Sequence, residues 1–178
     1  MSLVIHTIGH STRQLDEFIA LLSAHGIRQL VDIRSMPRSR RHPHFSSDKL
    51  SASLGERGII YRHSPALGGM RKPRRDSHNT AWRVAGFRGY ADYMETDEFR
   101  AALDELIARA REAPTAIMCA EAVWWQCHRQ LVADALVARG IEVRHIMRLP
   151  AGPSDSTEHT LTAFAQVSEG LVSYRGLI

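Results

Sequence analysis

The strongest constraint in this sequence is an alternation: short apolar, β-branched runs give way to amphipathic stretches, several of which stop at glycine. Leu3–Ile8 reads as a strand, broken by Gly9-His10-Ser11-Thr12. Ser11 or Thr12 is placed to cap a helix whose apolar face is Leu15, Phe18, Ile19, Leu21 and Leu22, with Gly26 as its stop. Gln29–Ile33 is a second strand of buried type, and a basic loop containing Pro37 and Pro43 follows. A helix over 48–56, capped by Ser46 or Ser47 and closed by Gly58, leads to a third strand at 59–61. This β-α-β-α-β order calls for parallel strands joined by crossovers.

The stretch 63–89 is rich in glycine, proline and charge and lacks a sustained period, so a long functional loop is expected. Helical pattern resumes at Tyr90, with Phe99, Leu103, Leu106 and Ile107 on one face, and ends at Pro114. Thr115–Met118 is the fourth strand and Ile141–Ile146 the fifth. Between them Gln126–Arg139 forms a helix with Leu131, Val132, Ala135, Leu136 and Val137 mostly inward and Gly140 as its stop. The tail holds a short helix near 161–167 and a short strand near 171–174. The expected fold is α/β: a single three-layer Rossmann-like domain over residues 1–178 with a mostly parallel sheet of about five strands. Residues 148–178 are expected to form a C-terminal extension packing on it.

Composition narrows the class. A hydrophobic content of 44% in 178 residues suits one sizeable core, and no apolar run is long enough to cross a bilayer. The N-terminus lacks the basic region and cleavage site of a signal peptide, and two cysteines make no secreted disulfide framework, so a cytoplasmic protein with reduced thiols is expected. A net charge of +4 is too small to class the chain as a nucleic-acid binder. The basic residues nonetheless cluster, at Arg34, Arg38, Arg40, Arg41, His42 and His44 and again at Arg71, Lys72, Arg74 and Arg75. Such clusters suit phosphate or a nucleic-acid backbone, and a solvated basic loop is the plainer explanation.

Open parallel sheets bind ligands beyond the carboxyl ends of their strands. The predicted ends carry His6, Gly9, His10 and Ser11; Asp32, Arg34 and Ser35; Tyr61 and His63; and Cys119 and Glu121, followed by Cys127-His128-Arg129. One shared pocket is therefore predicted. Cys119 is either a small core residue or a thiolate, activated by Arg129 and by the start of the helix near Gln126. Glu121 is a solvated carboxylate, or a general acid or base if enclosed beside Arg129 or His128. Asp32 caps a turn, pairs with Arg34 or joins the pocket.

Cys127 and His128 occupy adjacent positions in a predicted first helical turn and diverge by about 100°. Cys127 is therefore expected to pack the helix rather than face the pocket with His128. Trp124-Trp125 either stacks on a ring or divides between core plug and loop lid. Cys119, Cys127, His128 and His10 have the donor chemistry of a zinc set, but their spacing matches no common zinc pattern. Neither a metal nor a cofactor is expected. Position 125 is Trp, so the cysteine, five residues, arginine loop of phosphatases is disfavoured. A plain sulfurtransferase loop is disfavoured for the same reason, although the strand-Cys-loop-helix order is shared with that class.

Five motifs, in order, resemble the family catalogued as domain of unknown function 488. They are His6-Thr7-Ile8-Gly9-His10-Ser11, the run Val31-Asp32-Ile33-Arg34-Ser35-Met36-Pro37-Arg38-Ser39, Leu67-Gly68-Gly69, the run Phe87-Arg88-Gly89-Tyr90-Ala91-Asp92-Tyr93-Met94, and Met118-Cys119-Ala120-Glu121 with Cys127-His128-Arg129. The resemblance spans about 3–147 and implies an α/β fold of bacterial and archaeal cytosolic proteins, with a loose link to DNA repair. It implies no particular reaction.

The leading expectation is an enzyme acting on a nucleotide, nucleic-acid base or other phosphate-bearing substrate. In it Arg34, Arg38, Arg41 and Arg129 hold phosphate, Cys119 or Glu121 does the chemistry, His10 carries a proton, and Tyr61 or Trp125 packs on the ring. His6, Ser11, Asp32, Ser35, His63 and His128 complete the binding wall, and 63–89 forms a lid. One alternative is a non-enzymatic module binding nucleotide or nucleic acid. The other is a thiol-based redox or sulfur-handling protein using Cys119 and Cys127. The expected partner is a phosphate-bearing small molecule or nucleic acid and not a membrane.

Overall fold

A computed structural model describes residues 2–148 and 156–177. Five strands, β1 (Val4–Gly9), β2 (Gln29–Asp32), β3 (Ile60–His63), β4 (Thr115–Cys119) and β5 (Glu142–Ile146), run parallel, and β6 (Ser156–Glu158) adds antiparallel to β5. The sheet order is β3-β2-β4-β1-β5-β6. The helices are α1 (Leu15–Ala24), α2 (Ser47–Glu56), α3 (Ala85–Tyr93), α4 (Asp97–Glu112) and α5 (Arg129–Ala138). A small hairpin, β7 (Gln166–Ser168) with β8 (Leu171–Ser173), lies outside the sheet.

Alternation along the strands divides the core into two layers. Ile8, Leu30, Ala116 and Met118 pack with Phe18 and Leu22 of α1 and Leu50 and Leu54 of α2. Their neighbours Ile5, Val31, Ile117 and Val143 face the opposite way, onto Tyr90 of α3, Leu103 of α4 and Leu131 of α5. All five residues of β4 are buried, as expected for a central parallel strand covered on both faces. The result is a three-layer, Rossmann-like α/β fold.

The strand order positions the site. From β1 the chain passes over β4 to reach β2, whereas from β4 it passes over β1 to reach β5. The loops after β1 and β4 thus leave toward opposite faces, opening a crevice at their carboxyl ends.

Several boundaries differ from expectation. Gln14, not Ser11 or Thr12, precedes α1, without a side-chain cap; Ser11 turns the chain at φ 46°. Ser46 precedes α2, also without a side-chain cap. The helix expected from Tyr90 is two helices, because Thr96 accepts a hydrogen bond from the Phe99 amide (3.2 Å) and starts α4 afresh. Trp124–Gln126 forms a separate 3-10 turn, so α5 begins at Arg129 rather than Gln126. The tail supplies the sixth strand. In place of the helix expected at 161–167, β7 pairs with β8, the strand expected near 171–174, through a two-residue turn whose residues Glu169 (φ 53°) and Gly170 (φ 76°) both take positive φ.

Candidate functional site

Because β4 alternates, Cys119 shares the face of Ile117 and looks toward α5. Beyond it the loop folds across the end of β1, where the His10 amide donates to the Cys119 carbonyl (3.0 Å) and the Ser11 amide to the Ala120 carbonyl (2.9 Å). Gly9 allows this approach, since a Cβ there would stand 1.7 Å from the Glu121 carbonyl oxygen. After the 3-10 turn, Cys127 is extended (φ −134°, ψ 154°) and His128 is the residue before α5. Cys127 Sγ thereby lies 2.7 Å from Cys119 Sγ. The divergence expected of Cys127 and His128 does not arise, because neither is inside the helix. Both line the same cavity.

His128 is fixed at both ring nitrogens. Nε2–H donates to the Ile33 carbonyl (3.0 Å), and Nδ1 faces Cys127 Sγ at 3.4 Å. The Arg129 amide, at the start of α5, points to the same sulfur at 3.5 Å. The Cys127 thiol is pulled down to about 4, first by the hydrogen bond with Cys119, against the cost of burial, and further by His128 and the Arg129 charge. Burial, reinforced by the hydrogen bond with Cys127, pushes Cys119 the other way, well above the ordinary thiol range. The shifts on the two sulfurs oppose one another, and only Cys127 has an imidazole and a helix amide facing it.

Arg129 is fully buried beneath the loop. Its Nη1 donates to Thr7 Oγ1 (3.2 Å) and its Nη2 to the Glu121 carbonyl (2.9 Å), and Nε has no partner. It makes no ion pair with a carboxylate among the described residues.

The cavity, about 360 Å³, is lined by His10, Arg34, Ser35, Arg38, Cys119, Glu121, Cys127 and His128 among the predicted residues. Arg34 is held from below by Asp32, through Nε to Oδ1 (2.9 Å) and Nη2 to Oδ2 (2.7 Å), and Nη2 also donates to the Phe45 carbonyl. Tyr61 donates its hydroxyl to the same carboxylate (2.5 Å). Of the options for Asp32, two are formed: its carboxylate caps the turn by accepting the Arg34 amide (3.1 Å) and pairs with the Arg34 guanidinium, and Tyr61 supports that pair. His10 donates Nδ1–H to the Ser11 carbonyl (2.9 Å), stacks on Phe45 (4.5 Å) and is pulled down to about 4 by burial. It is neutral at neutral pH, with Nε2 turned to Arg34.

The remaining predicted residues lie elsewhere. His6 sits within β1 beside His25, pulled down to about 4 by burial. Ser11 and Asp32 do not line the cavity, and His63 donates to the Arg34 carbonyl (2.7 Å) while lining a different cleft. Arg41 is exposed in the basic loop, and Trp125 is half exposed, edge-on to Trp124. Segment 63–89, expected as a lid, is tied to α3: Tyr90 donates to the Leu67 carbonyl, Tyr93 to the Ala66 carbonyl, and Asp92 accepts from Ser77 and Asn79.

Two contributions escaped the sequence reading. Gly69 closes against His128, a Cβ there standing 3.0 Å from Nδ1. Behind Arg129 runs a buried set of Thr7, His145, His159, Asp134 and Tyr174, whose members are scattered too widely to share a motif. No group of three or more His, Cys, Asp or Glu among the described residues is arranged to hold a metal ion.

A family model described as Domain of unknown function DUF488 matches residues 14–136. The chain belongs to this family. The match covers α1 through most of α5, and so includes both cysteines, His128, Arg129 and Asp134. The β1 strand, His145, His159 and Tyr174 fall outside it. Neither the curated proteins nor the solved structures returned a significant match. No helix among the described residues is long and apolar enough to cross a membrane.

Proposed function

We propose that this protein is a thiol enzyme in which Cys127 is the nucleophile and Cys119 its resolving partner, passing from dithiol to disulfide as it reduces a substrate disulfide. The observation that carries this reading is the 2.7 Å contact of two free sulfurs at the β1/β4 crevice, only one of which has an imidazole and a helix amide beside it. Eight positions separate the two cysteines, and their sulfurs are already within easy reach of a bond.

The step runs as thiol–disulfide exchange. The Cys127 thiolate attacks one sulfur of a substrate disulfide, forming a mixed disulfide and expelling the other half as a thiolate. Cys119 then attacks Cys127 Sγ, forming the Cys119–Cys127 bond and expelling the second half. Two electrons pass from the protein sulfurs to the substrate. The Cys119 proton and one from solvent end on the two released thiols.

The substrate disulfide bears an anionic group, a phosphate or carboxylate. Arg38 supports this: it is exposed at the cavity rim, pairs with no carboxylate among the described residues, and continues into a cleft shared with Arg40, Ser47 and Asp48. Arg34, the other guanidinium lining the cavity, is occupied by Asp32 and the Phe45 carbonyl.

Peptide-resolved alkylation by iodoacetamide across pH 4 to 9 tests the reading. Cys127 is expected to react with a midpoint well below the ordinary thiol value of about 8.5. With a small anionic disulfide, the wild type is expected to lose two hydrogens without an adduct, and Cys119→Ser to trap a mixed disulfide on Cys127. Two thiols with midpoints above about 8.5 would remove the proposal.

A further inference from the structure

Behind Arg129 a hydrogen-bonded chain runs through the core. Asp134 can only accept, and it takes His159 Nε2–H (2.8 Å), the Tyr174 hydroxyl (2.7 Å) and the Thr162 amide (3.0 Å). His159 Nδ1 is hydrogen-bonded to His145 Nε2 (2.9 Å), and His145 Nδ1 to the Thr7 hydroxyl (2.6 Å). The Thr7 oxygen accepts from Arg129 Nη1 (3.2 Å).

The links run unbroken from Asp134 to Arg129. Thr7, His145, Asp134, Tyr174 and Arg129 are fully buried, and His159 is 4% exposed. Burial pulls His145 down to about 2, which keeps its ring neutral. Trp124, two positions before the turn ends, lies flat on His145 (4.4 Å, 5°) and holds the ring in plane.

We infer that Asp134, His159, His145 and Thr7 are positioning residues that orient Arg129 beside the two sulfurs and, through it, set the reactivity of Cys127. The inference rests on the thiol reading above. Arg129 joins the two halves: Nη1 takes its orientation from Thr7, and Nη2 clamps the Glu121 carbonyl and with it the loop carrying Cys119. His159, Thr162 and Tyr174 come from the C-terminal segment, beyond the family match, so that segment is part of the support of the site.

The test is the pH dependence of Cys127 alkylation in the full chain. Cys127 is faced by Cys119 from β4, His128 and Arg129 on its own segment and Tyr90 from α3. Across the cavity stand His10, Arg34, Arg38 and Glu121. All of these are retained in Thr7→Val, which removes the hydroxyl at nearly constant shape, in Thr7→Ser, which keeps it, and in His159→Phe. Thr7→Val and His159→Phe are expected to raise the midpoint by about one pH unit, a tenfold loss of thiolate on the acid side, with Thr7→Ser matching wild type. Should His159→Phe fail to fold, the two Thr7 variants decide. An unmoved midpoint in folded Thr7→Val, or an equal shift in Thr7→Ser, overturns the role of the chain alone. A wild-type midpoint near 8.5 overturns the thiol reading and this inference with it.

Discussion

Replacing Gly9 by alanine probes how tightly the thiol loop is seated on β1. Gly9 needs no unusual backbone angle; it needs space. An alanine Cβ would meet the Glu121 carbonyl oxygen at 1.7 Å, its carbon at 2.7 Å and Arg129 Nη2 at 3.1 Å. Ordinary contact lies near 3.5 Å, so loop backbone must retreat by about 1.5 Å or more. That movement stretches two bonds, from the Ser11 amide to the Ala120 carbonyl (2.9 Å) and from Arg129 Nη2 to the Glu121 carbonyl (2.9 Å). Overpacking of this kind costs about 1–3 kcal/mol, and a lost hydrogen bond to a charged group about 1.5–3 kcal/mol. The expected loss is about 3–5 kcal/mol, a large share of a typical domain's stability of about 5–15 kcal/mol. Urea unfolding followed by tryptophan fluorescence measures it, with Gly55→Ala as control because a Cβ there meets nothing within 4 Å. A Gly9→Ala protein within about 0.5 kcal/mol of wild type would refute the close seating of the loop and the clamp that Arg129 makes on it.

Asp32→Asn is expected to cost about 3–5 kcal/mol in the same assay, because it leaves the buried Arg34 guanidinium without its carboxylate; a loss below about 1 kcal/mol would show that the pair does not hold this end of the sheet. Stability is also expected to fall on acidification. His6 and His10 are held at about 4 and His145 at about 2 in the fold against an ordinary 6.5, so the unfolded chain binds more protons as pH drops below 6.5. Cys127, depressed to about 4, has the same sign: its contribution is complete above the unfolded thiol value and is lost as pH falls toward 4. Thermal unfolding at pH 7.5 and 4.5 checks this, and equal midpoints would contradict it.

The main elements were legible because their signals are local. Alternating β-branched runs mark β1 to β5, and apolar spacing marks α1, α2, α4 and α5. The i, i+2 placement of Asp32 and Arg34 already made their pairing an option, and it formed because both lie buried at one strand end. Strands β6 and β7 fall outside the sequence expectation, whereas β8 lies where a short strand near 171–174 is expected. Both β6 and β7 are three-residue strands whose stability comes from the partner they meet, with little apolar pattern of their own.

The sequence by itself marked out the segment 118–129 as a place where chemistry gathers, and the parallel α/β order that brings it beside the end of β1. Tertiary structure decided what the segment does. A 3-10 turn delays α5 to Arg129, which turns Cys127 out of the helix and onto Cys119. The same delay sends Arg129 under the loop to Thr7, 122 residues away, where Asp134 and two histidines fix it. Those contacts depend on strand adjacency and on where one helix begins. Neither is encoded in the spacing of any single motif, because both are settled by how the whole sheet packs.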